Sequence, residues 1–465
     1  MSFTARINPA FSGAHELRVF DLYQDLLPLH EASPQRYPYL LESVVHGPEH
    51  ARFDILFAFP GKTLELTPDL QLSGGAAGDR EFLDGFDRWW RSEACPPLPD
   101  IALPFHGGWF VYLGYELGAR IEPSVQPAST AARLPHAFAV RIPAAVIRDH
   151  ALEQTVVIAE AGQGHLLDKM TEDLTAVQRN RTDGHLSYSA PSLREDDPRV
   201  FLDGVRRIKR YIRDGDVFQV NLSRAWSGIH ERQGTAGDLY RRLRDHNPGP
   251  FAGLACHKDM AIVSSSPERL VHTAANGLIE TRPIAGTRPR GGDVVADRLF
   301  SETLLAHPKE RAEHVMLIDL ERNDLGRLCR HGSVVVNELM VLESYRHVHH
   351  IVSNVRGLLR ADVTPGQVIR AVFPGGTITG CPKIRCMQII AELEGTARGP
   401  YTGAMGYINR DGTMDLNILI RTLWLNGRRL TLRTGAGIVA DSDPDMELEE
   451  TRAKAKGLLM ALAAP

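Results

Sequence analysis

Two stretches of the chain combine a helical hydrophobic period with a pair of glutamates. In residues 307–327, Pro308 suits the first turn of a helix because its missing N–H has no partner there. The residues that then recur on one face are Glu310, Glu313, Leu317 and Leu320. The lower half of this face is apolar and should pack on the core, which leaves two carboxylates at its edge. Taken alone, the pattern is typical of a solvated acidic helix end.

A second copy of this pattern lies near the other end of the chain, in residues 441–459. Asp443 and Pro444 predict a helix start. One stripe of the helix then carries Glu447, Glu450, Lys454 and Leu458. If the two helices face each other, four carboxylates converge, which is costly unless a cation pairs with them. Magnesium is the expected ion because it keeps waters and uses few protein carboxylates, which leaves room for substrate oxygens.

The remaining hydrophobic pattern mixes strands with helices. Strands are predicted within 52–60, 151–161, 218–226, 261–273, 277–292 and 333–359. A helix is predicted from 198 onward and ends at Gly215. The polar stretch 182–198 is predicted to be a linker between an N-terminal region, 1–181, and a catalytic region, 199–460. Because strands and helices do not alternate strictly, we expect an α+β fold.

Composition narrows the function classes. The 465 residues are 43% hydrophobic and 24% charged, with a net charge of -4, so charge gives no reason to expect nucleic acid or an anionic membrane as partner. Five scattered cysteines indicate neither a disulfide framework nor a zinc site. We see no apolar run of membrane-spanning length and no signal peptide at the start. We therefore expect a cytoplasmic location.

Two glycine-rich stretches suggest anion binding. In 374–395 a glycine turn is predicted to lead into a helix, whose free N–H groups attract anions. The stretch is not a Walker A loop, because Lys383 does not follow Gly380 directly, and a carboxylate is the expected ligand. A plain strand–turn–helix corner explains it equally well. The stretch 434–440 matches a dinucleotide fingerprint weakly, and we interpret it as a turn whose backbone approaches an anion beside Glu447.

Four further residues have both a structural and a chemical interpretation. Glu268 lies among small residues and is either a surface glutamate or a carboxylic acid held near a leaving oxygen. Ala285 and Gly286 belong either to a solvated turn or to a loop that leaves room for a reacting group. His350, taken alone, is better explained as a hydrogen-bonded core histidine than as a catalyst.

A series of motifs between about residues 200 and 457 resembles the chorismate-utilising enzymes in order and spacing. The motifs are SSSPERL, RPIAGTRPRG, KERAEHVMLIDLERNDLGR, ESYRHVHHIVS, PGGTITGCPKIR, YTGAMGY, IRTL and GAGIVADSDPDMELEETRAK. This family includes anthranilate synthase component I, aminodeoxychorismate synthase component I, and the isochorismate and salicylate synthases. The N-terminal third resembles the first two through YLLES (39–43), RFDIL (52–56) and PFHGGWFVYLGYELG (104–118).

The resemblance implies an α+β fold of two large packed β-sheets with helices outside, as in anthranilate synthase component I. It implies a magnesium site at Glu310, Glu313, Glu447 and Glu450. It assigns Glu268 as general acid and places His350 and Thr377 near the reacting ring. The positions that it implies for substrate binding are Ala285, Gly286, Thr287, Tyr401, Arg421, Gly435, Ala436, Gly437 and Lys454.

Within the family, the sequence resembles the members that use ammonia. Gln219 stands where the water-adding members carry a lysine base, and a glutamine cannot deprotonate water at neutral pH. Asn221, RFDIL, WFVYLGYE and NPGPF resemble aminodeoxychorismate synthase component I, which serves p-aminobenzoate and folate synthesis. Many of those enzymes carry a nucleophilic lysine where this chain has Ala285, as anthranilate synthases do. Anthranilate synthase component I is therefore the alternative.

Partners and regulation follow from the same resemblance. A separate glutamine amidotransferase subunit is expected to supply ammonia, because the chain has no Cys-His-Glu glutaminase motif. The alternative from another class is a non-catalytic scaffold that binds a small anion. Leu41, Glu42 and Ser43 resemble part of the tryptophan pocket of relatives, and ordinary packing explains them equally well.

Overall fold

The structure is a computed structural model that describes residues 15–44, 52–75, 79–97, 103–126, 134–179, 192–230, 235–289, 297–298, 302, 308–344 and 348–463. These residues form two antiparallel sheets and the helices that flank them. The strands are β1 (His15–Phe20), β2 (Tyr39–Glu42), β3 (Phe53–Ala58), β4 (Thr63–Leu66), β5 (Leu72–Ser73), β6 (Gly108–Leu113), β7 (Ala137–Ile142), β8 (Ala144–Asp149), β9 (Gln154–Glu160), β10 (Ser192–Glu195), β11 (Gln219–Ile229), β12 (Phe251–His257), β13 (Met260–Ser266), β14 (Arg269–Thr273), β15 (Leu278–Thr281), β16 (Ile284–Pro289), β17 (Val335–Ser344), β18 (Val348–Leu358), β19 (Gly380–Cys381), β20 (Ala404–Asn409), β21 (Met414–Ile418), β22 (Thr422–Asn426) and β23 (Arg429–Ile438).

The helices lie on the outer faces of the sheets. They are α1 (Leu27–Ala32), α2 (Phe82–Glu93), α3 (Gly118–Ile121), α4 (Gly164–Arg179), α5 (Pro198–Arg213), α6 (Ala236–His246), α7 (Pro308–Gly326), α8 (Pro365–Val372), α9 (Lys383–Glu394) and α10 (Pro444–Leu462). The helices that the hydrophobic pattern predicts, α5, α7 and α10, are present. Buried Phe201, Val205 and Ile208 anchor α5, and Asp443 caps the first N–H groups of α10.

Strand order shows how the chain divides between the sheets. In the first sheet the order is β1-β9-β8-β3-β2-β12-β13-β22-β23-β11-β10, with β19 paired to β11. In the second sheet it is β16-β18-β15-β14-β21-β20-β6-β7-β4-β5, with β17 paired to β18. Early and late strands are hydrogen-bonded neighbours in both sheets, as in the pairs β2–β12 and β6–β20. Both regions of the chain therefore contribute to each sheet.

The core consists of an inter-sheet layer and further layers beneath the helices. Aromatic side chains fill part of the inter-sheet layer, where the rings of Tyr39 and Phe110 stack with centroids 4.0 Å apart. Apolar side chains of α4, α6 and α10 cover the outer face of the first sheet. Those of α2, α7 and α8 cover the second sheet. The predicted α+β fold with two packed sheets and outer helices is confirmed.

Several other expectations can be compared with the described residues. The predicted linker, 182–198, lies outside them up to residue 191, and its remainder contains β10 and the first residue of α5. The division of the chain into 1–181 and 199–460 stays a prediction. All five cysteines are free. Within the described ranges, no helix is both long enough and apolar enough to cross a membrane.

Candidate active site

Glu268 lies where the chain passes from the first sheet to the second, between β13 and β14. Its side chain is only 4% exposed, and its Oε1 has no hydrogen bond of ordinary geometry. Burial raises the pKa of Glu268 to about 7, against the opposing effects of Thr377, the backbone of Ile284 and the charge of Arg421. A buried carboxyl with this pKa can hold a proton near neutral pH and give it to a bound molecule.

Arg421 lies where the chain returns from the second sheet to the first, between β21 and β22. Its backbone has a φ of 49°, and its carbonyl oxygen accepts a hydrogen bond of 3.1 Å from the Ser265 N–H. Burial lowers the pKa of Arg421, and the charge of Glu268 opposes this effect. Within the described residues the guanidinium forms no salt bridge. The residue is half-buried, and a guanidinium that is partly removed from water and forms no salt bridge can pair with a ligand anion.

The imidazole of His350 lies in the same neighbourhood, on β18. The residue is 1% exposed, and burial together with the charge of Arg421 lowers its pKa to about 3. A hydrogen bond with the backbone of Gly286 opposes that shift. The ring is therefore neutral at physiological pH. His350, Thr377, Glu268 and Arg421, which came from distant motifs, interact electrostatically or through hydrogen bonds in one cluster, which we call the acid–arginine cluster.

The glycine corner that carries Thr377 differs from the prediction. The helix α9 begins only at Lys383, because strand β19 pairs with β11 between the glycines and the helix. The free N–H groups of the helix start are therefore separated along the chain from the glycine turn. The glycines are needed for packing instead: a Cβ on Gly376 would lie 2.5 Å from Cδ2 of Leu320 on α7. Lys383 forms a 2.5 Å salt bridge with Asp324, so its charge is already paired within the protein.

The prediction of an anion-binding turn at 434–440 is wrong about the secondary structure. Gly435, Ala436 and Gly437 lie inside β23 and pair with β11, so this segment is a strand for most of its length. The pattern misled because glycine is also used where a side chain approaches a strand closely. A Cβ on Gly435 would lie 2.8 Å from the hydroxyl of Tyr401, and one on Gly437 would lie 2.4 Å from Nε2 of Gln219.

Lys454 connects this strand to α10. Its Nζ donates to the carbonyl oxygen of Gly435 at 3.1 Å and lies 2.6 Å from Oε1 of Glu450. Tyr401, Gly435, Ala436, Gly437 and Lys454 thus form a second group of predicted substrate-binding residues. The N–H of Asn221, which pairs with Gly437, donates to the carbonyl oxygen of Thr379 at 2.9 Å and so connects strand β11 to the segment that carries Thr377.

The predicted magnesium ligands are only partly described. The side chain of Glu310 lies outside the described residues. Glu447 is buried, at 8% exposure, and Glu313 is half-buried. Oxygen donors suit a hard divalent cation, yet the described side chains contain no group of three or more residues arranged to hold a metal. The site formed by Glu310, Glu313, Glu447 and Glu450 stays a prediction.

The loop that carries Ala285 is described in part. The side chains of Ala285 and Thr287 lie outside the described residues, so the space that the alanine leaves is not tested. Gly286 has a φ of 72° and lies at an irregularity in the pairing of β16 with β18. Only a glycine adopts this backbone without strain, which fits a segment that bends toward the cluster.

A cavity lies between the sheets. Leu41, Glu42 and Ser43 line it, together with residues of the second sheet that include Met405 and Asn417, and its volume is about 90 Å³. The predicted tryptophan-pocket residues therefore border an internal space.

One buried carboxyl near Glu268 was missed. Glu321 lies on α7 and is 6% exposed. A signal was present in the sequence, because Glu321 follows the buried Leu317 by one helical turn and so falls on the core face of the helix.

Comparisons with known proteins agree with this fold. The family model described as chorismate binding enzyme matches residues 56–460. An anthranilate synthase component I-like protein of Synechocystis is 43% identical over 385 residues, covering 80% of this chain and 77% of the relative. Aminodeoxychorismate synthase component 1 of Bacillus subtilis is 40% identical over 400 residues, covering 82% of each chain.

Further relatives divide between the same two activities. Anthranilate synthase component 1 of Synechocystis is 39% identical over 476 residues, covering 93% of this chain and 92% of the relative. Among solved structures, anthranilate synthase component I from Streptococcus pneumoniae is similar with a TM-score of 0.78 at 32% identity, covering 89% of this chain and 94% of that one. Relatives with different products thus have similar identities to this chain.

Proposed function

The chain belongs to the family of chorismate binding enzymes, and from this premise we propose that it aminates chorismate to 4-amino-4-deoxychorismate, as the synthase subunit of an aminodeoxychorismate synthase. The observation that carries the proposal is the acid–arginine cluster. It combines a half-buried arginine that forms no salt bridge within the described chain with a buried carboxyl whose pKa of about 7 lets it hold a proton. Chorismate brings the complementary chemistry, namely carboxylates and a hydroxyl that must leave.

Substrate binding is assigned to the cationic and backbone groups. Arg421 holds one carboxylate of chorismate in a site from which most water is excluded, where a charged hydrogen bond is strong. Tyr401, the backbone of Gly435 and Gly437, and Lys454 hold the remaining polar groups. Two contacts support this assignment: Tyr401 approaches Gly435 closely, and Lys454 forms a hydrogen bond to the same strand.

Proton transfer is assigned to Glu268. Its carboxyl protonates the departing hydroxyl, which leaves as water, and ammonia takes the vacated carbon while the enolpyruvyl group is retained. Neutral His350 beside Arg421 adds no positive charge to the ring pocket. Magnesium would be held by Glu310, Glu313, Glu447 and Glu450, and when bound it would supply charge compensation for a substrate carboxylate.

Ammonia as the nucleophile is supported by the residue opposite β23. Gln219 is buried against Gly437, and its amide cannot act as the base that water addition would need. Because position 285 is alanine, we propose that ammonia attacks directly, without a lysine adduct. The ammonia would come from a separate glutamine amidotransferase subunit, and relatives that are named component 1 support the existence of a second subunit.

Anthranilate formation is the second candidate, and a specific observation favours it. Alanine at position 285 is the residue that the family resemblance associates with anthranilate synthases, and two such enzymes match more than nine-tenths of the chain. The two reactions both use ammonia, but they place the amino group on different ring carbons, and anthranilate formation also expels pyruvate.

One assay separates these candidates. The protein is incubated with chorismate, magnesium and an ammonium salt at alkaline pH, and both chorismate and pyruvate are measured. Loss of chorismate without pyruvate is the expected result. Pyruvate together with a fluorescent aromatic amine would replace our proposal by anthranilate synthesis. No turnover, even with an amidotransferase subunit present, would favour the anion-binding scaffold.

The cavity at Leu41, Glu42 and Ser43 supports a separate proposal, that it binds tryptophan. Its walls combine apolar side chains with buried polar groups, as the indole and the amino-acid ends of such a ligand require. Calorimetric titration with L-tryptophan should show one binding site, L-alanine should show none, and Asn417→Ala should weaken the binding. Absence of heat with tryptophan would remove the proposal while leaving the chemistry untouched.

A further inference from the structure

Arg398 is a buried arginine that the proposed reaction leaves without a role. It follows α9 in the chain and is 1% exposed. Its Nε and Nη2 donate to the two carboxylate oxygens of Glu394, at 3.0 and 2.7 Å. The side chain of Glu394 is also 1% exposed, so the two charges balance each other away from water. Because this cation is already paired, it is not available to a substrate carboxylate.

The other N–H groups of Arg398 donate to three separate segments of the chain. Nη1 donates to the carbonyl oxygen of Ile378 at 3.1 Å and to the hydroxyl of Thr402 at 3.2 Å. Nη2 also donates to the carbonyl oxygen of Asn221 at 2.7 Å. Every N–H group of the guanidinium therefore has an acceptor, which a lysine ammonium with its three donors could not reproduce.

Two of these bonds reach the segments that carry or adjoin Thr377 and Gly437. Ile378 follows Thr377 directly in the glycine corner, so the bond to its carbonyl oxygen holds the peptide next to that threonine. Asn221 pairs with Gly437 across β11 and β23. One side chain therefore binds a segment of the acid–arginine cluster and a strand beside the second group of predicted substrate-binding residues.

The bond to Thr402 connects Tyr401 with the segment before Arg421. Thr402 follows Tyr401 and has a φ of 61°, a backbone conformation that is costly for a threonine. Its N–H donates to the carbonyl oxygen of Leu419 at 2.8 Å, two residues before Arg421. The hydrogen bond from Arg398 thus holds a strained residue at the point where these two segments meet.

From these contacts we propose that Arg398 is a positioning residue for the substrate, which sets how the acid–arginine cluster and the second group of substrate-binding residues lie relative to each other. The inference rests on the proposed function. Chorismate carries two carboxylates, so both groups must engage it at once, and a displacement of one group weakens its binding. Arg398 acts through the segments that it binds and not by contact with the substrate.

Arg433 provides a matched control, because it binds the same glutamate. Its Nη2 donates to Oε2 of Glu394 at 3.0 Å, and the residue is 5% exposed. Its other hydrogen bonds within the described chain go to the hydroxyls of Ser223 and Thr396. A substitution of Arg433 therefore perturbs the same buried ion pair but leaves the three segments bound to Arg398.

The test compares Arg398→Lys with Arg433→Lys by steady-state kinetics and urea denaturation. Lysine keeps the charge that Glu394 requires but lacks the planar fork that reaches the three segments. Both variants should be less stable than the unmodified protein. KM for chorismate should rise about tenfold or more in Arg398→Lys and stay unchanged in Arg433→Lys. Equal KM values in the two variants would overturn the proposal, because partial unfolding lowers the apparent kcat and leaves KM unchanged.

Thr402→Val is a second variant, which keeps the ion pair and provides the test if Arg398→Lys does not fold. It removes one acceptor of Arg398 with little change of shape. KM for chorismate should rise several-fold, and the effect of a further Tyr401→Phe substitution should be smaller than in the unmodified protein. An unchanged KM in Thr402→Val would contradict the proposed role of Arg398.

Amide hydrogen exchange gives a readout that needs no turnover. The N–H groups of Asn221 and Thr402 donate to Thr379 and Leu419, and both should exchange faster in Arg398→Lys than in Arg433→Lys. Equal exchange in the two variants would overturn the proposal. If the unmodified protein neither binds nor converts chorismate while the exchange rates differ as expected, the proposed function fails and the joining of the segments by Arg398 stands.

Discussion

The acid–arginine cluster and the Leu41–Ser43 cavity lie between the same two sheets, and each contains a buried glutamate near an arginine. At the cavity, Glu42 accepts a 2.6 Å hydrogen bond from Tyr240 and lies 3.2 Å from Nη1 of Arg244. Glu268 forms no salt bridge in the described chain, and its Oε1 lacks a hydrogen bond of ordinary geometry. Burial alone therefore does not distinguish a structural carboxyl from a chemical one.

The arginines differ in the same way. Arg244 bridges Asp25 and Glu42, so its charge is used in the folded protein itself. Arg421 is half-buried, forms no such bridge among the described residues, and is held in a backbone conformation with a positive φ. The first arrangement is a closed network that stabilises the fold, and the second is open toward a ligand. The following substitutions test that contrast.

The largest effect is expected from neutralising the two glutamates. Glu268→Gln should lower kcat by about 10²–10⁴-fold, the usual contribution of a general acid, with little change in stability. Glu42→Gln should leave kcat nearly unchanged and reduce the free energy of unfolding, because it weakens the network with Arg244. Steady-state kinetics and urea denaturation of both variants measure the contrast. Similar kcat values for the two variants would contradict the different roles of Glu268 and Glu42.

The arginines provide the next test. Arg244→Met should lower the free energy of unfolding by about 3–5 kcal/mol, because it leaves buried carboxylates without their cation. Arg421→Met should not destabilise the protein, and it should raise KM for chorismate by about 10–100-fold through loss of a charged hydrogen bond. A strongly destabilised Arg421→Met with normal KM would show that this arginine belongs to the fold.

A pH dependence of stability should be traceable to Glu268. Its pKa is about 7 in the folded protein and lower in the unfolded chain, so the folded state holds an extra proton between these values. Stability from this group is present at low pH and is lost as the pH rises toward 7, by an amount on the order of a few kcal/mol. Denaturation at several pH values should show Glu268→Gln gaining stability relative to the unmodified protein as pH rises. A constant difference would contradict the raised pKa.

The smallest contrast concerns two tyrosine hydroxyls. Tyr240→Phe removes the hydrogen bond to Glu42 and should lower the free energy of unfolding by about 1–3 kcal/mol without changing KM. Tyr401→Phe should leave stability nearly unchanged and raise KM for chorismate several-fold. Thermal denaturation and kinetics on the same samples decide the matter, and the opposite pattern of losses would reverse the two assignments.

Much of this architecture could be predicted from side-chain periodicity. The helix at Pro198–Arg213 and the strand at Phe53–Ala58 follow from local pattern, because each has one consistent buried set. The glycine stretches were interpreted less well. Glycine occurs both in turns and in strands that another group approaches closely, and the sequence does not distinguish the two. The pattern therefore predicts a turn at Gly435 and Gly437, although both residues lie in β23.

The site could be predicted as a set of residues but not as a geometry. Motif order singled out Glu268 and Arg421, whereas their meeting depends on two crossings between sheets that are far apart along the chain. The charge state of Glu268 depends on burial, which no local pattern specifies. Glu321 was overlooked because a glutamate beside an arginine and an aspartate is typical of a solvated helix face, although its helical phase places it in the core.

The most direct test of the central claim is calorimetric titration of chorismate, with magnesium present, into two variants that cannot turn it over. In Glu268→Gln the arginine is intact, and we predict measurable binding with one site. In the double variant Glu268→Gln with Arg421→Met, we predict affinity at least about tenfold weaker, because the loss of one charged hydrogen bond exceeds 1.4 kcal/mol. Equal affinity of the two variants would contradict the assignment of this cluster as the chorismate site.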